Sequence, residues 1–302
     1  MSFRIVQSKQ NARLKELRQA LTTPPRLGRI LPESNGAEHC RDDKGRLAGI
    51  EGFNLLEEAL RAGLRVDCVF VALGSEHLLG ELPLNPATEV LLLPRELLNP
   101  ALTTEAPQPV AALVEPPEWD WKDLLGKTRQ LSSSRSGALV VVLAGLQDPG
   151  NLGTVLRSAE AFGATGILSL PGTVSPWNPK AVRASAGSVF RVPLLAATAE
   201  DAFSRLRKEG IRIFTTAVYG AEPAHAVDLA GLLALVIGNE GNGVPEEISA
   251  QCDAALTIPC PGPVESLNAS VAASILLYEI SRQRSCADSE IFSKSAASRS
   301  AS

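Results

Sequence analysis

At 302 residues, with 45% hydrophobic and 21% charged residues, the chain has the composition of an ordinary globular protein and room for two domains. No apolar run reaches the length of a membrane span and Met1-Ser2-Phe3-Arg4 does not open a signal peptide, so the expected location is cytoplasmic, with no membrane partner. Five scattered cysteines (Cys40, Cys68, Cys252, Cys260, Cys286) argue against a disulfide framework, and His39, His77 and His225 show neither a metal-ligand spacing nor a nucleophile partner. A net charge of −4 argues against nucleic acid, but charge distribution carries more information than the sum.

The first thirty residues hold Arg4, Lys9, Arg13, Lys15, Arg18, Arg26 and Arg29 against Glu16 alone, a locally basic arm that reads as a solvated helix face or an RNA contact. Leu14, Leu17 and Leu21 recur at helical spacing within 8–21. Residues 22–45, polar and rich in Pro and Gly, predict a flexible loop. A strand at 47–50, a helix from about 53 and strands at 66–72, 90–93 and 110–114 follow, making a small α/β unit that ends near Pro116-Pro117. Trp119 and Trp121, in an acidic neighbourhood, are expected to be packing anchors of a linker.

Beyond residue 138 strands alternate with helices. Strands are expected near 139–145, 166–170, 211–217, 233–237 and 254–258, and helices near 152–163, 199–209, 245–251 and 266–283. That alternation predicts an α/β fold with a mostly parallel sheet covered on both faces. The Ser- and Ala-rich residues 286–302 lack a core pattern and are expected to be disordered.

Three segments stand out. Leu146 to Ala159 runs from a buried strand through the turn signal Asp148-Pro149-Gly150 into a helix, with Asn151 at its entry and Arg157 inside it. Gly238-Asn239-Glu240-Gly241-Asn242-Gly243 leaves another buried strand with glycines in alternate positions, so a ligand can lie against bare backbone. Ile258 to Ala273 ends a strand, crosses a Pro/Gly loop and starts a small-residue helix, with Ser266 and Asn268 where the backbone changes direction. Singly these read as a solvated arginine, a weak glycine loop and a helix cap. Neither a Walker loop nor a Rossmann fingerprint is present.

Together and in order, Asp148-Pro149-x-Asn151-x-Gly153 with Arg157, Gly238-Asn239-Glu240-Gly241-x-Gly243, and Ile258-Pro259 with Ser266-Leu267-Asn268-x-Ser270-Val271-Ala272 resemble the signature of the SpoU-type (TrmH-like) RNA 2′-O-ribose methyltransferases of the SPOUT superfamily. The match covers roughly 138–283, and 180–190 resembles the family's connecting segment. Glu51-Gly52 followed by Leu55-Leu56-Glu57-Glu58-Ala59-Leu60 resembles, more softly, an L30e-like substrate-binding domain.

The resemblance implies a SPOUT-type parallel sheet with a C-terminal deep trefoil knot, preceded by the small L30e-like α/β domain. Its domains would be 1–117 (RNA binding, with the basic arm), 118–136 (linker), 137–285 (methyltransferase) and 286–302 (tail). It implies S-adenosylmethionine as cofactor, held at Gly238, Ile258 and Leu267, with no metal. Arg157, Asn151, Glu240, Ser266 and Asn268 become the catalytic candidates, Arg157 at the reacting ribose or its phosphate and Glu240 either bonding substrate or bridging to Arg157. RNA is the implied partner, ribosomal before transfer RNA. A homodimer packing through Ala269, Ala272, Ala273 and Leu276 is implied too. A non-catalytic RNA-binding protein of the same fold and a Rossmann-type nucleotide enzyme are the competing classes; the late position of the glycine loops disfavours the second.

Overall fold

The computed structural model describes residues 3–30, 39–40, 46–80, 82–126, 137–264 and 266–299. The chain runs β1 (Phe3–Ile5), α1 (Ala12–Thr22), β2 (Arg29–Ile30), β3 (His39–Cys40), β4 (Ala48–Glu51), α2 (Phe53–Arg61), β5 (Val66–Ala72), β6 (Glu89–Leu93), α3 (Arg95–Leu98) and β7 (Val110–Val114). It continues through α4 (Trp121–Leu124), β8 (Leu139–Ala144), α5 (Pro149–Ala161), β9 (Gly166–Ser169), α6 (Pro179–Ser185), β10 (Leu194–Ala196) and α7 (Ala199–Lys208). β11 (Arg212–Thr216), β12 (Glu222–Pro223), β13 (Leu233–Gly238), α8 (Glu246–Ser249), β14 (Ala254–Thr257) and α9 (Ala269–Arg299) complete it.

These elements form two compact units. The first comprises Met1–Leu27, Arg41–Glu118 and Ser175–Arg191; the second comprises Gly28–Cys40, Trp119–Val174 and Val192–Ser302. The connecting segment around α6 therefore groups with the N-terminal unit. Its Arg183 Nη1 lies 3.4 Å from Glu51 Oε2, and Arg191 Nη1 lies 2.6 Å from Glu58 Oε2.

The first unit is a five-stranded sheet in the order β1-β6-β5-β7-β4. Leu14, Leu17 and Leu21 of α1 bury with Phe70, Leu91, Leu93 and Leu113, as their spacing predicts. Two arginines of the basic arm are engaged within the unit. β1 pairs parallel to β6, Arg4 Nη1 meets Glu89 Oε1 at 3.1 Å, and the Arg13 guanidinium sits among Glu16 (2.8 Å), Asp67 (2.9 Å) and Glu89 (2.9 Å). Asp67 of β5 and Glu89 of β6, remote in sequence, join Glu16 in neutralising Arg13, while Lys9 and Lys15 stay exposed.

The second unit is a nine-stranded sheet in the order β12-β14-β11-β13-β8-β9-β10-β2-β3, parallel throughout except where β3 pairs antiparallel to β2. β8 and β13 are continuous apolar runs buried at every residue, as central strands covered on both faces must be. Trp121 buries in this unit's core and carries the Arg205 guanidinium 5.8 Å from its ring.

Three segments carry regular structure that the sequence did not announce. Part of the loop expected at 22–45 supplies β2 and β3; strands of two residues leave no periodicity to detect. The linker contains α4, whose capping box pairs Asp120 with Asp123, while 127–136 lie outside the described residues. From 286 the chain is helical as far as Arg299, because no Gly or Pro interrupts the end of α9.

Candidate active site

Because β8, β13 and β14 run parallel, the loops that leave them emerge at one edge of the sheet. From β8 the chain moves outward through β9 and β10, then crosses to β11, and β13 returns to lie between β11 and β8. The loops after β8 and β13 thus diverge from neighbouring strands at a topological switch point, where open α/β sheets open a crevice at their carboxyl ends.

Local chemistry shapes each loop. Asp148-Pro149-Gly150, expected as a turn, is instead the start of α5. Asp148 is its N-cap, with Oδ1 accepting the Asn151 N–H at 2.8 Å, and Pro149 takes the first helical position. Asn239 folds the glycine loop by accepting the Gly241 N–H at 2.8 Å on its side-chain oxygen and donating to the Gly145 carbonyl at 2.9 Å. The loop then turns back so closely that a Cβ on Gly238 would lie 2.1 Å from the Gly243 carbonyl carbon. Gly243 itself has φ +67°, the left-handed region that favours glycine. Asn268 caps α9, its Oδ1 accepting the Ser270 N–H at 2.9 Å and the Val271 N–H at 3.3 Å.

One hydrogen-bond network joins the three loops. Asn151 Nδ2 donates to Glu240 Oε1 at 3.0 Å, while Asn151 Oδ1 accepts from Asn268 Nδ2 at 3.0 Å and from Ser270 Oγ at 3.2 Å. Glu240 also accepts the Asp148 N–H at 3.0 Å and the Gln147 N–H at 3.2 Å. Burial pushes the Glu240 carboxyl upward, but the hydrogen bonds from Asn151, Asp148 and Gln147 outweigh it and hold the group below its ordinary value. Seven residues beyond Asn151 on the same face of α5, Ser158 Oγ meets Ser274 Oγ of α9 at 2.6 Å, so the seam between the two helices continues below the network.

Arg157 is exposed, lies one residue (about 100°) off that seam, and has no hydrogen-bond or ion-pair partner among the described residues. The Glu240 carboxylate bonds Asn151 and two backbone N–H groups, and no bond from it to Arg157 is present among the described residues. Ser266 is likewise exposed without a described partner. Of the cofactor candidates, Gly238 is buried at the end of β13, and Ile258 and Leu267 are half-buried in the loop after β14. Half-exposed apolar side chains beside bare loop backbone fit a nucleoside with an apolar base face and amide-seeking edges.

Ser270, buried and bonded to both asparagines, was not among the candidates. Its position two residues after Asn268 in the third motif was the available signal. The four residues expected to form an interface divide: Ala273 and Leu276 are buried in the chain's own core, Ala269 and Ala272 are half-buried, and the exposed apolar stripe of α9 is Val271, Ile275 and Tyr278.

The model of the SpoU rRNA methylase family matches residues 138–278, and that of the RNA 2′-O ribose methyltransferase substrate-binding domain matches residues 50–119. A 23S rRNA (guanosine(2553)-2′-O)-methyltransferase of Bacillus subtilis is 31% identical over 76% of this chain and 87% of its own length. The chain belongs to the SpoU family. It is therefore an RNA methyltransferase. A 23S rRNA (guanosine-2′-O-)-methyltransferase of Coxiella burnetii is 37% identical over 65% of the chain and 78% of its own. Among solved structures, the SpoU methyltransferase AviRb from Streptomyces viridochromogenes in complex with AdoMet is 26% identical with a TM-score of 0.71, covering 91% of this chain and 98% of that one. An AdoMet-bound rRNA methyltransferase from Sinorhizobium meliloti gives 26% and 0.73, covering 93% and 98%.

Proposed function

We propose that this SpoU-family chain transfers a methyl group from S-adenosylmethionine to the ribose 2′ oxygen of a nucleotide in ribosomal RNA. The observation that carries the reading is the Glu240–Asn151–Asn268–Ser270 network, which joins three loops at the switch point, with Arg157, unpartnered among the described residues, six positions after Asn151 on α5. The 23S rRNA methyltransferases among its relatives support ribosomal over transfer RNA.

When bound, S-adenosylmethionine supplies a methyl on a sulfonium and leaves as a neutral thioether, so no metal is needed to stabilise an anionic leaving group. Gly238, Ile258 and Leu267 hold it, largely through backbone and apolar contact. Arg157 anchors the ribose or its phosphate and stabilises the negative charge that develops on the 2′ oxygen. Arginine does not give up its proton in proteins, so Arg157 is an electrostatic donor rather than the base, and the proton of the 2′ hydroxyl passes to solvent water as the O–C bond forms. Ser266, also without a partner among the described residues, offers a hydroxyl to the substrate. Asn151, Glu240 and Asn268 spend their hydrogen bonds on one another, so their part is to set the spacing of the loops.

The reading includes a deep trefoil knot built from the loops after β13 and β14, a view supported by the insertion of β13 between β8 and β11. It includes an L30e-like N-terminal unit that captures RNA, with Lys9 and Lys15 exposed on it. It includes a cytoplasmic homodimer joined through Val271, Ile275 and Tyr278. No described helix is long and apolar enough to cross a membrane. Mapping ribose methylation across total RNA from cells with and without the gene tests the function. One ribosomal 2′-O-methyl mark should disappear; loss of a transfer-RNA mark, or of none, overturns the assignment.

A further inference from the structure

The five-residue segment 217–221 links β11 to β12, and both strands pair with β14, one on each side. Thr216 pairs with Leu256 across one edge of β14, and Glu222 pairs with the same Leu256 across the other. The segment therefore arches over the carboxyl end of β14, directly beside Ile258. Its base is pinned there: the Ala217 N–H donates to the Leu256 carbonyl at 3.0 Å, and Thr257 Oγ1 donates to the Val218 carbonyl at 3.4 Å.

The crown of the arch faces solvent. Tyr219 is 82% exposed and Val218 51% exposed. A Cβ at Gly220 would meet nothing within 4 Å, so the space beside the ring is open. The acidic residue nearest Tyr219 in sequence is Glu222, at the far base of the arch where it pairs with Leu256. Aromatic residues make up only 4% of the chain, and two exposed ones lie in the described part of this unit. The other, Tyr278, has its ring edge-on to Phe162 at 5.8 Å. Tyr219 is thus an exposed aromatic face at the rim of the candidate active site, with no ring contact among the described residues. RNA is recognised through unstacked bases laid on such faces, and a ring standing this far into solvent suits a macromolecular ligand better than a cofactor held in loops.

We propose that Tyr219 stacks on an RNA base next to the reacting ribose and so helps decide which nucleotide is methylated. The proposal rests on the functional reading above. Two nucleobase sources, the RNA and the cofactor's adenine, share the chemistry, and the test separates them. Ribosomal RNA from cells lacking the gene serves as probe, with binding to RNA and to S-adenosylmethionine measured separately alongside methyl transfer. Wild-type methyl transfer to this RNA tests the functional reading alone; RNA binding by the variants tests Tyr219 whether or not turnover occurs. Tyr219→Ala should weaken RNA binding and raise KM for RNA about tenfold, the usual range for one stacked base, with kcat and cofactor Kd within about twofold. Tyr219→Leu, bulky but without a π-face, should follow the alanine variant. Tyr219→Phe should match wild type. Wild-type RNA affinity in Tyr219→Ala overturns the proposal. So does a weakened cofactor Kd with RNA binding unchanged, or a phenylalanine variant as impaired as alanine.

Discussion

Asn151 Nδ2 donates to Glu240 Oε1 at 3.0 Å, tying the first turn of α5 to the glycine loop across 89 positions of sequence. The amide has a fixed sense, since its oxygen accepts from Asn268 and Ser270 and its nitrogen must face the carboxylate. Asn151→Asp should therefore set two carboxylates against each other. We expect a lower Tm and about tenfold weaker cofactor binding, from the loss of a charge-assisted hydrogen bond worth about 1.5 kcal/mol. Adding Glu240→Gln should recover much of both, because the repulsion is then gone. An Asn151→Asp enzyme with wild-type Tm and cofactor Kd would show that the network does not hold the loops.

Arg157 has no described partner to lose, so Arg157→Ala should leave Tm unchanged. Its methyl-transfer rate should fall about 100-fold or more, the scale of a lost electrostatic donor, with cofactor Kd within about twofold. Arg157→Lys should recover only part of the rate, because a point charge does not reproduce the planar fork. Single-turnover rates near wild type in the alanine variant would remove Arg157 from the chemistry.

Gly238→Ala puts a methyl group 2.1 Å from the Gly243 carbonyl carbon, which is backbone and cannot swing aside. The loop must move or β13 must strain, at a cost of about 1–3 kcal/mol. Calorimetry should show a lower Tm and cofactor binding weakened more than tenfold. Intact binding would mean that the tight return of the loop is dispensable.

The depressed Glu240 carboxyl makes a prediction about pH. Its pKa is lower in the folded state than in the unfolded chain, so its bonds stabilise the fold above the unfolded value. That contribution is lost as pH falls through the folded value. Wild type should exceed Glu240→Gln in Tm at neutral pH, and the gap should close below the ordinary carboxylate range. A gap that widens on acidification contradicts the sign.

Cys260 is exposed in the loop that carries Ile258, while burial pushes the Cys68 thiol up to about 12. An alkylating reagent should modify Cys260 and spare Cys68 in the folded protein. S-adenosylmethionine should slow modification of Cys260 if the loop closes on it. Peptide mass spectrometry with and without cofactor reads both, and an unaltered Cys260 rate argues against cofactor in this loop.

Several elements were legible from local pattern. Leu14, Leu17 and Leu21 sit at helical spacing and all three are buried on α1; the unbroken apolar runs of β8 and β13 announced central parallel strands. Arg13 was legible only as a charge. Its carboxylate partners lie on α1, β5 and β6, and only folding brings the last two to it. The turn signal at Asp148-Pro149 misled because a helix N-cap followed by proline uses the same residues as a turn.

The linear order of the chain by itself determined the family, the alternation of strands and helices, and which residues could carry chemistry, because these depend on residue type and spacing over a few turns. Only the tertiary structure decided which of them meet. Asn151, Glu240, Asn268 and Ser270 meet because β8 and β13 are neighbours in the sheet and α9 returns along α5, contacts of long sequence separation that local pattern does not encode. The same packing leaves Arg157 and Tyr219 facing solvent. Burial and hydrogen-bond satisfaction are properties of the assembled fold, and they separate residues bonded to one another from those left facing solvent.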